Sequence, residues 1–371
     1  MKLNDMKKKA GKIDFQIFAT IIFIVCIGVV MVYSSSAYYA LYEESSTEFF
    51  LKKELTWTIV GICVMMFTMS VDYHIYKKLT FWIALITIVL LVAVLYSNPI
   101  NGATRWLNVA GVSFQPSELA KYVVVAFMAV SIDANRSKME GFFSGVMLYL
   151  GIAGIFAGLI LLENNLSIAA IIMIVTFIMI LVGGAKIIHL FPLAVGGIVL
   201  GMTLIFASPY RMERFLGFLN PWEDASGRSF QLIQSFYALG SGGLTGVGLG
   251  QSTQKLLYMP EPYNDFIFAI IGEEFGIIGC LFLMGLFLFL ILRGISVAIR
   301  AKDGYGLMLA TGIISIIAVQ AMINIAVVTG TMPVTGVPLP FVSYGGTSMV
   351  FNLAAMGVVL NISRQGKQTK I

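Results

Sequence analysis

Long apolar stretches recur throughout this sequence, and their number and length constrain its fold more than any other feature. About 20 apolar residues in an α-helix cross the hydrocarbon core of a bilayer. Segments of roughly this length occur at residues 13–33, 54–71, 78–97, 116–133, 143–162, 166–183, 187–207, 266–292, 306–328 and 344–362. The sequence therefore predicts an all-α integral membrane protein, with about ten transmembrane helices in a single polytopic domain over residues 1–371.

The composition agrees with a membrane protein and argues against several other classes. Only 12% of the residues are charged, whereas a soluble domain carries about 25%. The net charge of +5 would suggest a nucleic-acid partner in a soluble protein. Membrane topology explains it better here, so no nucleic acid is expected. The three cysteines lie inside apolar segments and the two histidines stand alone, so the sequence predicts neither a disulfide nor a histidine-based metal site.

Lysine and arginine residues are distributed unevenly between the two sides of the predicted helices. Ten crossings place both termini on one side, and that side collects sixteen of these residues against seven on the other. Basic residues concentrate in cytoplasmic loops. We therefore expect cytoplasmic tails at 1–12 and 363–371, and a large extracellular loop at 208–265 between the seventh and eighth helices.

Three further segments are predicted on the extracellular side. Residues 34–53 link the first two helices, and residues 98–115 precede the fourth. Residues 329–343 contain three prolines yet stay quite apolar. This last segment could lie on the membrane, or dip into it where protein covers its backbone.

The large loop combines charge with apolar residues. Its basic residues are Arg211, Arg214, Arg228 and Lys255, and its acidic residues are Glu213, Glu223, Asp224, Glu261 and Asp265. A solvated loop with surface ion pairs would explain the charges. Its many aromatic and aliphatic residues favour interfacial helices instead. A glycine-rich stretch at 240–250 lacks the context of a P-loop or Rossmann motif. It fits a tight turn or a close backbone approach to an anion equally well.

Charged residues also occur inside predicted helices. Glu118 and Lys121 are three residues apart and share a helix face, either as a structural ion pair or as part of a functional cavity. Glu273 is rotated about 80° from Asp265 around the helix, and Glu274 about 180°. Glu273 could therefore face the same site as Asp265, while Glu274 is better placed to pair with another helix. A role for both in holding helices together is the alternative.

These groups suit one kind of chemistry. A carboxylate such as Asp265 can act as a general base for a hydroxyl nucleophile. Nearby arginine, lysine or a divalent ion can stabilise a leaving phosphate. A lipid-linked sugar pyrophosphate would meet both conditions, although composition alone does not identify it.

Several motifs in this order resemble the SEDS family (shape, elongation, division and sporulation), and together they span nearly the whole chain. They are Gly102-Ala103-Thr104-Arg105-Trp106, Gln115-Pro116-Ser117-Glu118-Leu119-Ala120-Lys121, Phe218-Leu219-Asn220-Pro221-Trp222-Glu223-Asp224, Gly248-Leu249-Gly250-Gln251-Ser252, Asn264-Asp265-Phe266-Ile267-Phe268 and Pro338-Leu339-Pro340-Phe341-Val342-Ser343-Tyr344-Gly345-Gly346. Asn220-Pro221-Trp222 and the Gly248 stretch are more similar to the FtsW and SpoVE branch than to RodA.

The resemblance implies a peptidoglycan glycosyltransferase that polymerises lipid II at the outer face of the bacterial cytoplasmic membrane. It implies that Asp265 is catalytic and that Glu118 and Lys121 border the same cavity. Arg105 matches the arginine of the family's Gly-Ala-x-Arg-Trp motif and is counted as a substrate-binding candidate. We add Arg211, Arg214, Lys255 and Glu273 as candidate substrate-binding residues. The resemblance also implies a divalent cation, Mg or Mn, whose ligands no spacing identifies. Its implied partners are lipid II, a class B penicillin-binding protein transpeptidase, and other division or sporulation membrane proteins.

Two departures from the family pattern stand out. Tyr263-Asn264 precedes the aspartate where His/Gln-Thr is common, which leaves the acid intact. Glu163-Asn164-Asn165-Leu166 replaces a Pro-Asp-Leu pattern, so we assign that turn no catalytic or metal role. Two other functions remain open, a lipid II transporter and a scaffold that activates a transpeptidase. Division and sporulation roles are not separated by the sequence.

Overall fold

The computed structural model describes residues 11–98, 104–109, 112–225, 227 and 229–366. Most of the predicted tail at 1–12 and residues 367–371 of the predicted tail at 363–371 lie outside the described residues. So do Gly102 and Ala103 of the Gly-Ala-Thr-Arg-Trp motif, and Arg228.

Twelve α-helices and one short β-hairpin make up the described part of the chain. The helices are α1 (Phe15–Glu44), α2 (Phe49–Ser70), α3 (His74–Val94), α4 (Pro116–Ala134), α5 (Leu148–Leu162, preceded by a π-helical stretch Phe142–Met147), α6 (Leu166–Val182), α7 (Ile187–Phe206), α8 (Pro209–Leu219), α9 (Phe230–Gly242), α10 (Ile267–Ile299), α11 (Gly304–Val328) and α12 (Gly346–Gln365). The hairpin pairs β1 (Leu107–Val109) with β2 (Val112–Phe114) in antiparallel register, and the sequence did not predict it.

Each of the ten predicted membrane segments corresponds to one helix, which confirms the all-α membrane fold. Seven are long and apolar enough to cross a membrane: α1, α3, α5 with its π-helical start, α7, α10, α11 and α12. Helix α6 is shorter, at 17 residues. Helices α2 and α4 carry charged residues near their N-termini. Helix α2 packs along α12, while α4 packs against α3, α6 and α11.

Helix α1 is longer than predicted, because it continues from residue 33 to Glu44. Three consecutive serines begin just beyond the predicted end, but all three are buried. The Ser35 hydroxyl donates to the Met31 carbonyl at 2.7 Å, and the Ser34 hydroxyl donates to Glu274 at 2.7 Å. Since the hydroxyl groups of Ser34 and Ser35 find partners within the protein, these polar residues do not end the helix. Most of the predicted link at 34–53 is therefore helical.

The segment at 208–265 is not a loop throughout. It contains α8, a 3-10 turn at Pro221–Asp224 and α9, and residues 243–266 form its longest stretch without regular helix among the described residues. Leu232 and Ile233 of α9 are buried, and α9 packs against α10. The Ser235 hydroxyl also donates to the Val328 carbonyl of α11 at 3.0 Å. The apolar residues of this segment thus serve packing against the bundle, which agrees with the helices predicted there.

Helix α10 is broken at Gly276, whose φ of 66° and ψ of −166° are not helical. In a continuous helix the Ile277 and Ile278 amides would donate to the Glu273 and Glu274 carbonyls. Here Ile277 donates to the Gly243 carbonyl at 3.0 Å and Ile278 to the Leu244 carbonyl at 3.2 Å.

The glycine-rich stretch supplies the complementary donors. The Val247 amide donates to the Glu273 carbonyl, and the Gly248 amide donates to the Glu274 carbonyl, each at 3.0 Å. A backbone break inside a membrane helix is tolerated where protein satisfies the freed groups. Of the two explanations open for residues 240–250, the structure supports a turn docked on a helix.

This docking predicts unequal effects for two glycines with similar backbone angles. Gly246 has φ +80°, and a Cβ there would lie 2.5 Å from the Phe275 amide nitrogen and still nearer the Glu274 carbonyl. Gly250 has φ +81° but nothing within 4 Å of a Cβ. We expect Gly250→Ala to cost about 1–2 kcal/mol from the left-handed backbone alone. Gly246→Ala should cost about 3 kcal/mol or more, because a backbone clash is added. Denaturation of both variants in detergent measures the difference, and equal losses would contradict the docking.

The apolar segment at 329–343 enters the bundle. Val337, Leu339, Phe341 and Val342 are all buried. The backbone of Phe341 and Val342 lies against Gly28, near the middle of α1, where a Cβ would be 2.8 Å from the Val342 Cα. The second alternative for this segment, a dip into the membrane with its backbone covered by protein, is therefore the one that the structure shows.

Candidate active site

Asp265 lies where α10 begins, beside the inserted segment. The Asn324 side-chain amide of α11 donates to the Asp265 carbonyl at 2.7 Å and to the Val337 carbonyl at 2.8 Å. Gly336, at φ +69°, stands next to the carboxylate, so that a Cβ there would lie 3.7 Å from Asp265 Oδ2. One buried asparagine thus joins the two chain segments that form the site.

The surroundings of Asp265 favour a carboxylate that takes up protons readily. Burial raises the pKa of Asp265 above its usual value, and the negative charge of Glu261 acts in the same direction. The backbone amide of Asp265 and the positive charge of Arg214 act against that rise. A carboxylate with a raised pKa is a stronger base than an exposed one, which suits general-base chemistry.

Tyr263, two residues before Asp265, is held in an aromatic cluster. Its ring centroid lies 4.4 Å from that of Phe50 and 5.7 Å from those of Tyr39 and Tyr344. The Tyr344 amide also donates to the Tyr263 carbonyl at 3.0 Å. Tyr263, which departs from the family pattern, therefore packs the segment that carries Asp265 against α1 and α2.

Arg105, Arg211 and Arg214 gather near Tyr210. Burial lowers the pKa of Arg105, and the positive charges of Arg214 and Arg211 lower it further, whereas Tyr210 and Glu163 oppose this. The Arg214 guanidinium lies 4.7 Å from the centroid of the Tyr210 ring. Arg211 and Arg214 therefore lie within electrostatic range of Arg105. We call these three residues the arginine cluster.

Carbonyl groups rather than carboxylates hold the arginine cluster in place. Arg211 donates to Leu204 at 3.2 Å, and Arg214 donates to Val334 at 3.3 Å. Arg105 donates from Nε to the Glu163 carbonyl at 3.4 Å and from Nη2 to the Asn164 carbonyl. Within the described chain none of the three forms an ion pair. Their charge is therefore available to an anion.

Glu118 and Lys121 form a buried ion pair. Lys121 Nζ lies 3.1 Å from each Glu118 oxygen, and the Ser348 hydroxyl of α12 donates to Glu118 Oε2 at 2.6 Å. Glu118 is 2% exposed and Lys121 is 1% exposed. This geometry agrees with one of the two explanations, a structural ion pair on α4 that is linked to α12 through Ser348. A role of the pair in binding substrate stays a prediction.

Lys255 lies apart from the arginine cluster. Its ammonium forms an ion pair with Glu274 at 2.8 Å and donates to the Ser34 hydroxyl at 3.1 Å. The segment at 243–266, α10 and α1 meet at this buried cluster. Glu274 thus pairs away from Asp265, as predicted, and Lys255 has an anchoring contact that the sequence did not predict.

Glu273 also anchors the chain before Asp265. It accepts hydrogen bonds from the Thr253 amide and hydroxyl at 2.9 Å, from the Gln254 amide at 3.4 Å, and from the Ser252 hydroxyl. At 1% exposure it does not border an open site. Residues 252–254 cover that face of α10 and occupy the Glu273 carboxylate, and a role of Glu273 in binding substrate stays a prediction.

Glu163 is the site residue that sequence reasoning missed. It follows α5, is fully buried, and lies beside Arg105. Burial raises its pKa to about 8, against the opposing influence of the Ser117 hydroxyl and the Arg105 charge. An acidic residue directly between two membrane helices was the available signal. It was set aside because the expected aspartate was absent from the turn.

Comparison with known proteins gives consistent results. The family model described as cell cycle protein, which covers FtsW, RodA and SpoVE, matches residues 15–368. Stage V sporulation protein E of Bacillus subtilis is 42% identical over 365 residues, which cover 98% of this chain and 100% of that protein. A probable peptidoglycan glycosyltransferase FtsW of Geobacter sp. strain M18 is 39% identical over 353 residues, with 94% and 96% coverage.

Solved structures share the fold. A chain from a study of the structural coordination of polymerization and crosslinking by a peptidoglycan synthase complex superposes with a TM-score of 0.79 at 27% identity, covering 96% of this chain and 99% of that one. Thermus thermophilus rod shape determining protein RodA superposes with a TM-score of 0.69 at 23% identity and 96% coverage of this chain.

Proposed function

Because the chain belongs to the cell cycle protein family of FtsW, RodA and SpoVE, we propose that it is a peptidoglycan glycosyltransferase that polymerises lipid II into glycan strands. The observation that carries this is the proximity of a base to an uncompensated cationic group. Asp265 lies within the electrostatic reach of Arg214, which belongs to the arginine cluster. A glycosyl transfer from a pyrophosphate needs both elements.

In the reaction, Asp265 takes the proton of the acceptor sugar hydroxyl. The hydroxyl oxygen forms a bond to the anomeric carbon of the donor sugar, and the bond from that carbon to the pyrophosphate oxygen breaks. Undecaprenyl pyrophosphate leaves with the electron pair. Arginine guanidinium groups bind phosphate oxygens in a bidentate way and keep their charge at all relevant pH values. The arginine cluster therefore holds the leaving group while negative charge develops on it.

A divalent cation fits this site only together with the substrate. The described residues contain no group of three His, Cys, Asp or Glu side chains that could hold a metal ion. Magnesium is often bound largely through substrate phosphates and water, so it would be held here mainly by the pyrophosphate, and Asp265 keeps its role as base. Such a cation would neutralise charge on the pyrophosphate. Polymerisation in a divalent-ion series with a chelator control tests this.

We place the site outside the cell. The excess of lysine and arginine on the side of the termini supports cytoplasmic tails in the bacterial cytoplasmic membrane. Asp265 and the arginine cluster then face outward. The superposed chain comes from work on a complex for polymerization and crosslinking, which supports a partner that crosslinks. We propose a class B penicillin-binding protein transpeptidase as the partner, together with other membrane proteins of division or sporulation.

Purified protein tests this function directly. Fluorescent lipid II is incubated with the protein, with and without a class B transpeptidase, and products are resolved by gel electrophoresis. We expect glycan strands that require this chain. A protein that flips lipid II in proteoliposomes but makes no strands would be a transporter. A chain that only stimulates the transpeptidase would be a scaffold.

The arginine cluster predicts a graded loss of activity. Arg214→Ala removes one guanidinium from the pyrophosphate, and we expect kcat/KM to fall about 10- to 100-fold, the effect of losing a hydrogen bond to a charged group. Arg214→Lys should recover part of this, because a point charge replaces a bidentate donor. Lys52→Ala is the matched control, since its side chain is 71% exposed and forms an ion pair with Glu48 on the surface. If Arg214→Ala had the same kcat/KM as the native protein and Lys52→Ala, the arginine cluster would have no role in binding the pyrophosphate.

A further inference from the structure

We propose that Glu163 is a positioning residue that controls the arginine cluster through its own proton. As a neutral acid it leaves the charge of Arg105 free for a pyrophosphate. As a carboxylate it competes with the pyrophosphate for Arg105. The inference rests on the proposed function, and it concerns the one turn that sequence reasoning had excluded from the site.

The first observation is the isolation of the Glu163 carboxyl. The residue is 0% exposed, and neither carboxyl oxygen makes a hydrogen bond of normal geometry among the described residues. A buried charge without a partner is costly, and such a group keeps its proton instead. Glu163 is therefore neutral in the resting protein at pH 7, in agreement with a pKa of about 8.

The second observation is how Arg105 is held. It donates to the backbone carbonyls of Glu163 and Asn164, at the end of α5. The nearest acidic side chain belongs to the same residue whose carbonyl it binds, yet the two make no ion pair within 4.0 Å. Arg105 is thus fixed in place while its charge stays uncompensated, and this arrangement lasts only as long as Glu163 remains neutral.

The charges around Glu163 favour this switch. The segment before β1 contributes Arg105, and α4 contributes the Ser117 hydroxyl. The Glu118 carboxylate that follows Ser117 is already neutralised by Lys121. From α8, Arg211, Arg214 and Tyr210 act on Arg105. Arg105 is therefore the charged group to which an ionised Glu163 would turn.

Binding of inorganic pyrophosphate tests the inference without relying on polymerisation. Titration calorimetry on the full-length protein in detergent compares native protein with Glu163→Gln between pH 6.5 and 9.5. We expect equal affinities at pH 6.5. At pH 9.5 the native protein should bind about tenfold more weakly than the variant, because only the native residue can ionise and pair with Arg105. In polymerisation assays the same difference should appear in KM and not in kcat.

Two further variants keep the result interpretable. Glu140→Gln removes an exposed carboxylate whose side chain is 70% accessible, and it should follow the native pH profile. Glu163→Met also removes the titration and replaces Glu163→Gln if that variant does not fold. A ratio of native to variant affinity that is constant with pH overturns the inference. Absence of pyrophosphate binding by the native protein at every pH would instead overturn the assignment of the arginine cluster.

Stability gives an independent readout. The folded pKa of about 8 lies above the ordinary value of 4.5, so between these pH values unfolding releases a proton and native stability falls as pH rises. Glu163→Gln lacks this loss. The melting temperature of Glu163→Gln minus that of the native protein should increase from pH 4.5 to 8 and then level off. If this difference does not change over that range, Glu163 is not a buried neutral acid.

Discussion

Replacement of Asp265 by asparagine is expected to lower the rate of glycan polymerisation by about 10²–10⁴-fold, the usual contribution of a general base. Asparagine has the same shape, and the Asp265 carbonyl keeps its hydrogen bond from Asn324, so the fold should persist. Only proton uptake from the acceptor hydroxyl is lost. The measurement is gel-resolved polymerisation of lipid II with the partner present, and an asparagine variant that polymerises at the native rate would remove Asp265 from catalysis.

Glu261→Gln provides the matched control. Glu261 is an exposed carboxylate four residues before Asp265, and its replacement should leave the rate at neutral pH within a few-fold. The pH profile adds a finer test. Asp265 works as a base only when ionised, and burial raises its pKa. As the pH is lowered, activity should therefore begin to decline at a higher pH than it would for an exposed aspartate, whose pKa is about 3.9. Because the Glu261 charge also raises that pKa, Glu261→Gln should shift the decline to lower pH.

Replacement of Lys121 by methionine should have the largest effect on stability. It leaves the Glu118 carboxylate buried and without its counter-ion, which typically costs about 3–5 kcal/mol. The double variant Glu118→Gln/Lys121→Met removes both charges and should regain most of that loss, since an uncharged buried pair carries little desolvation cost. Denaturation in detergent of the two single variants and the double variant gives the coupling energy.

The double variant also decides between the two explanations of this pair. If it folds stably and polymerises lipid II at the native rate, the pair joins α4 to α12 and does no more. If it folds stably but loses activity, the charges act on the substrate. If the loss of unfolding free energy in the double variant equals the sum of the losses in the two single variants, Glu118 and Lys121 do not stabilise the protein as a pair.

Much of the fold could be predicted from hydrophobicity alone. All ten apolar segments became helices, because a membrane helix must satisfy its own backbone and needs about 20 apolar residues to do so. Helix ends were predicted less well. Residues 34–44 were predicted as part of a polar link, yet the buried Ser34 and Ser35 find acceptors on Glu274 and on α1, which a linear pattern cannot reveal.

The site was predicted in part. Arg214 lies within electrostatic range of both Asp265 and Arg105, and Glu118 and Lys121 form an ion pair, while the catalytic role of Asp265 stays a prediction. Helical rotation placed Glu273 toward the site, but it could not anticipate that residues 252–254 fold back and occupy its oxygens. Lys255 was grouped with the arginines by sign of charge, whereas Glu274, distant in sequence, holds it.

The sequence by itself determined that this is a membrane protein, where its helices lie, which family it belongs to and which acid stands at the start of α10. These features depend on local composition and on motifs that are contiguous in the chain. Tertiary structure alone decided which charged side chains form buried contacts within the fold and which remain available to a ligand. Glu118, Lys121, Lys255, Glu273 and Glu274 have buried side-chain partners, while the arginine cluster donates only to backbone carbonyls and makes no ion pair among the described residues. That division depends on partners brought together from distant segments, because the free energy of a buried charge is set by the groups around it and not by its neighbours in the chain.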